Sequence, residues 1–87
     1  MPVTVELTYE MSKALGAERF EVENPGTVAD VVRSARERFG DDAERFETLT
    51  RLAAVAVNGV LVNHGKGMGT SLSDGDRVSF VKASAGG

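Results

Sequence analysis

The chain has no cysteine among its 87 residues. That excludes a disulfide scaffold, a cysteine-type zinc site and a thiol nucleophile. It has a single histidine, His64, with no second ligand at metal spacing, so the expectation is a solvent-facing loop histidine and no metal site. It lacks an excess of positive charge: 10 Lys and Arg stand against 13 Asp and Glu, a net charge of −3. That balance argues against nucleic acid or an anionic membrane as the main partner. No apolar run is long enough to cross a bilayer and no leader pattern opens the chain, so the expected location is the cytoplasm. Internal repeats and low-complexity segments are absent, and no Ser, His and Asp are spaced for hydrolysis.

What remains is ordinary globular composition, 41% hydrophobic and 26% charged. A chain of this length forms one small domain that buries about 60% of its unfolded surface. The expected division is a folded domain over residues 1–82 and a small-residue tail over 83–87.

Val3, Val5 and Leu7 alternate with Thr4, Glu6 and Thr8, which predicts a half-buried strand. Residues 12–17, with Gly16, read as a turn, and Phe20 and Val22 alternate with charges in a second strand. Asn24-Pro25-Gly26 stops it. Thr27 is a good N-cap, Asp30 places negative charge in the first turn, and Val28, Val31, Val32, Ala35 and Phe39 form an apolar helical face. Gly40 is the expected stop. Asp41 or Asp42 opens a short second helical segment carrying Phe46 and Leu49. Asn58-Gly59, between Ala54–Val57 and Val60–Val62, is a strong hairpin signature, because both residues tolerate positive φ. Leu72 precedes a tight turn, Ser73-Asp-Gly-Asp76, and Val78 and Phe80 anchor the last strand.

The order strand, strand, helix, strand, strand, strand predicts a two-layer α+β domain, a mixed five-stranded sheet packed on one main helix. Strand parity supplies a candidate docking face. With Val78 and Phe80 inward, Val81 points out; with Val60 and Val62 inward, Leu61 points out; with Val5 and Leu7 inward, Thr8 points out. Gly65-Lys-Gly-Met-Gly-Thr70 invites a phosphate-loop reading, but its spacing is wrong and it joins no strand to a helix, so a plain loop is expected. Asp74 and Asp76 are read as turn chemistry rather than a calcium site. Arg33, Arg36 and Arg38 are read as a solvated helix face.

Val57-Asn58-Gly59, Leu72-Ser-Asp-Gly-Asp76, Val78-Ser-Phe80 and the terminal Ala85-Gly86-Gly87, taken as a set, resemble the ThiS/MoaD family of ubiquitin-like sulfur carriers. The length and the second helical segment look most like its molybdopterin-synthase small-subunit group. That group usually has a proline pair before the glycines, where Lys82-Ala83-Ser84 stands here.

The resemblance implies a β-grasp fold and a carrier rather than an enzyme in its own right. It implies that Gly87, preceded by Gly86, is adenylated and then converted to a thiocarboxylate. The resemblance points to Leu61 and Val81 as partner contacts; Thr8, from strand parity, and Lys82, Ala83, Ser84 and Ala85, beside the glycines, are the further partner-binding candidates, Ser84 and Ala85 as small spacers. No cofactor is bound by the chain; ATP and Mg²⁺ are used by a ubiquitin-activating-type adenylating enzyme. The other implied partners are a sulfur donor and the larger catalytic subunit of molybdopterin synthase, or another acceptor enzyme. A thiazole-type or cysteine-biosynthesis carrier, and a ubiquitin-like protein modifier, stay open as alternatives.

Overall fold

A computed structural model describes residues 2–62 and 67–83. The order of elements is β1 (Pro2–Glu6), α1 (Tyr9–Leu15), β2 (Arg19–Glu23), α2 (Val28–Phe39), a short 3-10 turn (Gly40–Asp42), α3 (Ala43–Leu52), β3 (Ala53–Val57), β4 (Val60–Val62) and β5 (Arg77–Lys82). The strands form one five-stranded mixed sheet in the order β2-β1-β5-β3-β4. Only β1 and β5 run parallel, with Val5 opposite Val78; the other pairs are antiparallel. This is the expected β-grasp architecture, with the last strand seated between the first and the third.

Alternation decides the core. Val3 and Val5 of β1, Phe20 and Val22 of β2, Val78 and Phe80 of β5, and Ala53 and Val55 of β3 are buried against the helices. Val28, Val31 and Ala35 supply the buried stripe of α2. Helix α2 begins with a reciprocal capping box. The Asp30 amide donates to Thr27 Oγ1 at 3.3 Å, and the Thr27 amide donates to Asp30 Oδ2 at 3.1 Å. Gly40 ends it with a left-handed φ of 51° and donates its amide to the Arg36 carbonyl.

Two expectations need correction. The segment over residues 12–17 is not a turn: Tyr9–Leu15 is a helix, with Thr8 as its N-cap and Gly16, at φ 77°, as its C-cap. Met11 and Leu15, one helical turn apart, meet the core from it, Met11 fully buried and Leu15 partly. Strand β1 accordingly ends at Glu6, not Thr8. The second helical segment is a full ten-residue helix, not a fragment. Asp42 precedes it without a side-chain capping bond. Phe46 of α3 is fully buried, and it sits in a chain of rings, 5.3 Å from Phe39 and 6.0 Å from Phe80 between centroids. Phe39 in turn meets Phe20 edge-on at 5.7 Å. The ring chain joins α2 and α3 to strands β2 and β5.

The two tight turns lock together at the start of β5. Asn58 (φ 50°) and Gly59 (φ 84°) make the β3–β4 hairpin turn. Asn58 Nδ2 donates to Asp76 Oδ1 at 3.0 Å, while the Arg77 amide donates to Asn58 Oδ1 at 3.0 Å. The Ser73 amide donates to Asp76 Oδ2 at 2.8 Å. That backbone bond first, and the Asn58 amide second, hold the Asp76 carboxyl below the ordinary aspartate range.

Replacing Phe46 by Ala is expected to cost about 3–5 kcal/mol, read as a fall in the urea midpoint at unchanged m-value. A folded-state pKa below the unfolded one stabilises the fold above the unfolded value and loses that contribution as pH falls through the folded one. The advantage of wild type over Asp76→Asn in urea denaturation is therefore full at pH 7. It shrinks once the pH drops below about 4, near the free aspartate value.

Candidate functional site

The site is organised by where β5 ends. β5 is flanked on both sides, and its Lys82 lies opposite Ala53 at the start of β3. Lys82 and Ala83 are exposed. Thr8 and Tyr9 come to the same end, because β1 runs parallel to β5 and leaves the sheet there. The chain therefore departs from the middle of the sheet rather than from an edge. Ser84, Ala85, Gly86 and Gly87, the expected carrier residues and spacers, lie outside the described residues, as does His64.

The outward sheet face carries the predicted contacts. Leu61 is 66% exposed and stands opposite Ala56; Ala56 stands opposite Ser79, and Val81 opposite Ala54. The small Ala54 and Ala56 make a low floor between Leu61 and half-buried Val81. This is an apolar shallow, with a charged border on the β1 side. There Glu6 Oε1 accepts from Ser79 Oγ at 3.0 Å and faces Arg77 Nε at 3.4 Å, while Glu6 Oε2 faces Arg19 Nη1 at 4.0 Å. The border gives the patch a polar rim, the usual arrangement of a docking surface.

Two parts of the predicted face differ. Thr8 is not an outward strand residue: its Oγ1 accepts from the Met11 amide at 3.0 Å, so its hydroxyl is engaged in capping α1. Val60, expected inward, is 67% exposed. It lies on the edge strand β4, three residues long, at the margin of the sheet. The sequence reading also missed Tyr9, 74% exposed, and Leu52, 71% exposed, which flank the end of β5. The signal was present: Thr8 as a cap, Glu10 in the first turn, Met11 and Leu15 four apart and Gly16 as a stop.

The described part of the glycine-rich segment packs against the start of α2. The Met68 and Thr70 carbonyls accept from the amides of Ala29 and Val28 at 2.9 and 3.2 Å, so these two residues occupy donors at the N-terminus of α2. A phosphate would need those same donors. Gly67 is pressed against Val62, 2.8 Å from where a Cβ would lie, which explains a glycine there. Among the described residues no group of three or more His, Asp or Glu is placed to hold a metal. Among them, too, no helix is long and apolar enough to cross a membrane.

Comparison with known proteins agrees with this geometry. A model of the ThiS family matches residues 5–87. No curated protein matches the chain. Among solved structures, the HVO 2177 protein of Haloferax volcanii is 30% identical, with 100% of this chain and 87% of that one covered and a TM-score of 0.71. A chain of the Amycolatopsis orientalis BexX/CysO complex is 27% identical, with 98% and 99% covered and a TM-score of 0.73. A chain of the complex of subunits 1 and 2 of the Helicobacter pylori molybdopterin-converting factor is 22% identical, with 100% of both covered and a TM-score of 0.61, a likeness of fold alone. With its β-grasp sheet, its centrally rooted last strand and a family match running from residue 5 to residue 87, the chain belongs to the ThiS family of ubiquitin-like sulfur carriers.

Proposed function

We propose that this chain carries sulfur as a thiocarboxylate at Gly87 and delivers it as the small subunit of a molybdopterin-synthase-type complex. The observation that carries the reading is the family match through Gly87 on a fold whose central strand ends exposed at Lys82 and Ala83.

The chemistry follows from the carboxylate, which is ionised at neutral pH. A carboxylate oxygen of Gly87 attacks the α-phosphorus of ATP held with Mg²⁺ by an adenylating enzyme, and pyrophosphate leaves. Sulfide (HS⁻) delivered by the sulfur donor then attacks the carbonyl carbon of the acyl-adenylate, AMP leaves and the S–H proton passes to solvent. The resulting thiocarboxylate is the nucleophile toward the acceptor. Gly86 and Gly87 have no Cβ, so they pass through a narrow channel in conformations closed to other residues. The partner's fixed dipoles stabilise the charge that develops at each step. The carrier supplies reach and a nucleophile. Leu61 and Val81, over the Ala54–Ala56 floor, form the surface offered to the larger subunit.

A second reading of the acceptor is favoured by two observations. The chain is 27% identical to a member of the BexX/CysO complex, against 22% for the molybdopterin-converting-factor chain. Lys82-Ala83-Ser84 also stands where the small-subunit group has its prolines. On that reading the chain is a cysteine-biosynthesis-type or secondary-metabolite carrier, and the sulfur goes to a different acceptor enzyme.

The test is the intact mass after incubation with ATP, Mg²⁺, an adenylating enzyme of this class and a sulfur source. The expected gain is one sulfur-for-oxygen exchange, mapped to the Gly87 peptide, and none in the variant lacking Gly87, which melts like wild type. No gain in wild type overturns the carrier reading; isopeptide adducts on lysines in its place point to a protein modifier. Leu61→Asp is expected to weaken binding of the larger subunit by about tenfold or more, as loss of an apolar anchor does. Unchanged affinity by calorimetry removes Leu61 from the interface.

A further inference from the structure

Asn58 is held at both ends of its side-chain amide. Its Nδ2 donates to Asp76 Oδ1 at 3.0 Å, and its Oδ1 accepts from the Arg77 amide at 3.0 Å. The residue is exposed, in left-handed backbone at φ 50°, and Gly59 follows it at φ 84°. A Cβ at Gly59 would meet nothing within 4 Å, so no neighbour covers that side of the turn. An asparagine before a glycine is open to attack on its own side chain, because the next amide nitrogen is the nucleophile and glycine has no Cβ to crowd it. The chain's other two asparagines lack this pairing. Asn24 precedes Pro25, which has no amide N–H, and Asn63 precedes His64, whose side chain is bulky.

The reaction needs only water. The Gly59 amide nitrogen loses its proton to solvent base and attacks Asn58 Cγ. A C–N bond forms, the Cγ–Nδ2 bond breaks, and Nδ2 leaves as ammonia with a proton from solvent. The product is a cyclic succinimide. Water then opens the ring at either carbonyl. One opening leaves aspartate on the original backbone. The other leaves isoaspartate, whose backbone runs through Cγ and is longer by a methylene. Nothing is oxidised or reduced; an amide nitrogen is replaced by a carboxylate oxygen.

We infer that Asn58 is a deamidation site that its pairing with Asp76 holds closed, and that the reaction turns this pairing from attraction to repulsion. For the attack, Asn58 Cγ has to swing to the Gly59 nitrogen, whereas both hydrogen bonds hold the side chain toward Asp76 and Arg77. Afterwards a carboxylate stands where the donor stood, 3.0 Å from the Asp76 oxygen, and like charges at that range disfavour each other. The lock at the start of β5 then opens. β4, three residues long at the edge of the sheet, is joined to β3 by this same turn, so the placement of Leu61 depends on it.

The experiment follows Asn58 in the folded protein in mildly alkaline buffer, by the mass of the peptide that carries it and by labelling with an isoaspartyl methyltransferase. Asp76→Ala is expected to deamidate at Asn58 about fivefold faster than wild type or more, the weight of one intramolecular hydrogen bond. Thr27→Ala, which weakens the α2 cap without touching the lock, keeps the wild-type rate. Equal rates in Asp76→Ala and wild type overturn the inference. So does an equal acceleration in Thr27→Ala, which reports global unfolding instead of the lock, and so does an Asn58 that stays intact even in the urea-unfolded chain. Asn58→Asp stands for the product. Its urea midpoint at pH 7 is expected below that of wild type, and adding Asp76→Asn is expected to raise it again, because an amide and a carboxylate then face each other with places exchanged. A double variant no more stable than Asn58→Asp alone overturns the repulsion.

Discussion

The parallel pairing of β1 with β5 is the contact on which the rest of the molecule depends. It brings Val5 against Val78 and Glu6 against Ser79, positions more than seventy residues apart in the chain. A parallel pair cannot be closed by a tight turn, so everything between the two strands has to be folded around the join. β2 is laid on one side of it and β3 with β4 on the other, while the helices cover one face. Because β5 is thereby an inner strand, its end emerges between two flanks, the outward face of the sheet and the helix-covered face.

Both flanks follow from side-chain parity around that strand. On the outward face, Val81 and Leu61 border two alanines whose small side chains keep the surface low. On the helix face, α1 begins and α3 ends near Lys82, and they leave Tyr9 and Leu52 uncovered. The polar contacts divide in the same way. Glu6 gathers Ser79, Arg77 and Arg19 on the β1 side of the outward face, so charge borders the apolar shallow without crossing it. At the far end, the Asn58–Asp76–Ser73 lock fixes the start of β5, which sets where its other end emerges. That lock uses residues of the very motifs that first suggested the family. In the fold they set the register of β5.

The candidate site was partly legible before the fold was known. Leu61 could be assigned outward because a strand has a period of two and an Asn-Gly turn sets the phase. Val60 could not, because its exposure depends on how far the helical layer extends over an edge strand. Thr8 was misassigned for a related reason: alternation continued into a residue that had already left the strand to cap a helix. Tyr9 and Leu52 were invisible as a pair, since one lies at the start of α1 and the other at the end of α3, and only packing brings them to one cleft.

Local chemistry in the sequence determined the strands, the α2 capping box, the Asn-Gly hairpin, the polar Ser73–Asp76 turn and the apolar face of each main element. Each of those rests on residues within a few positions of one another, where φ preference, capping and periodicity act directly. The family, too, was readable, because its marks are short motifs. Tertiary structure alone decided that Phe46 closes a chain of rings, that α1 replaces a turn, and that the tail is rooted between an apolar shallow and an apolar cleft. Those outcomes depend on contacts between distant segments, formed only once β5 has inserted beside β1.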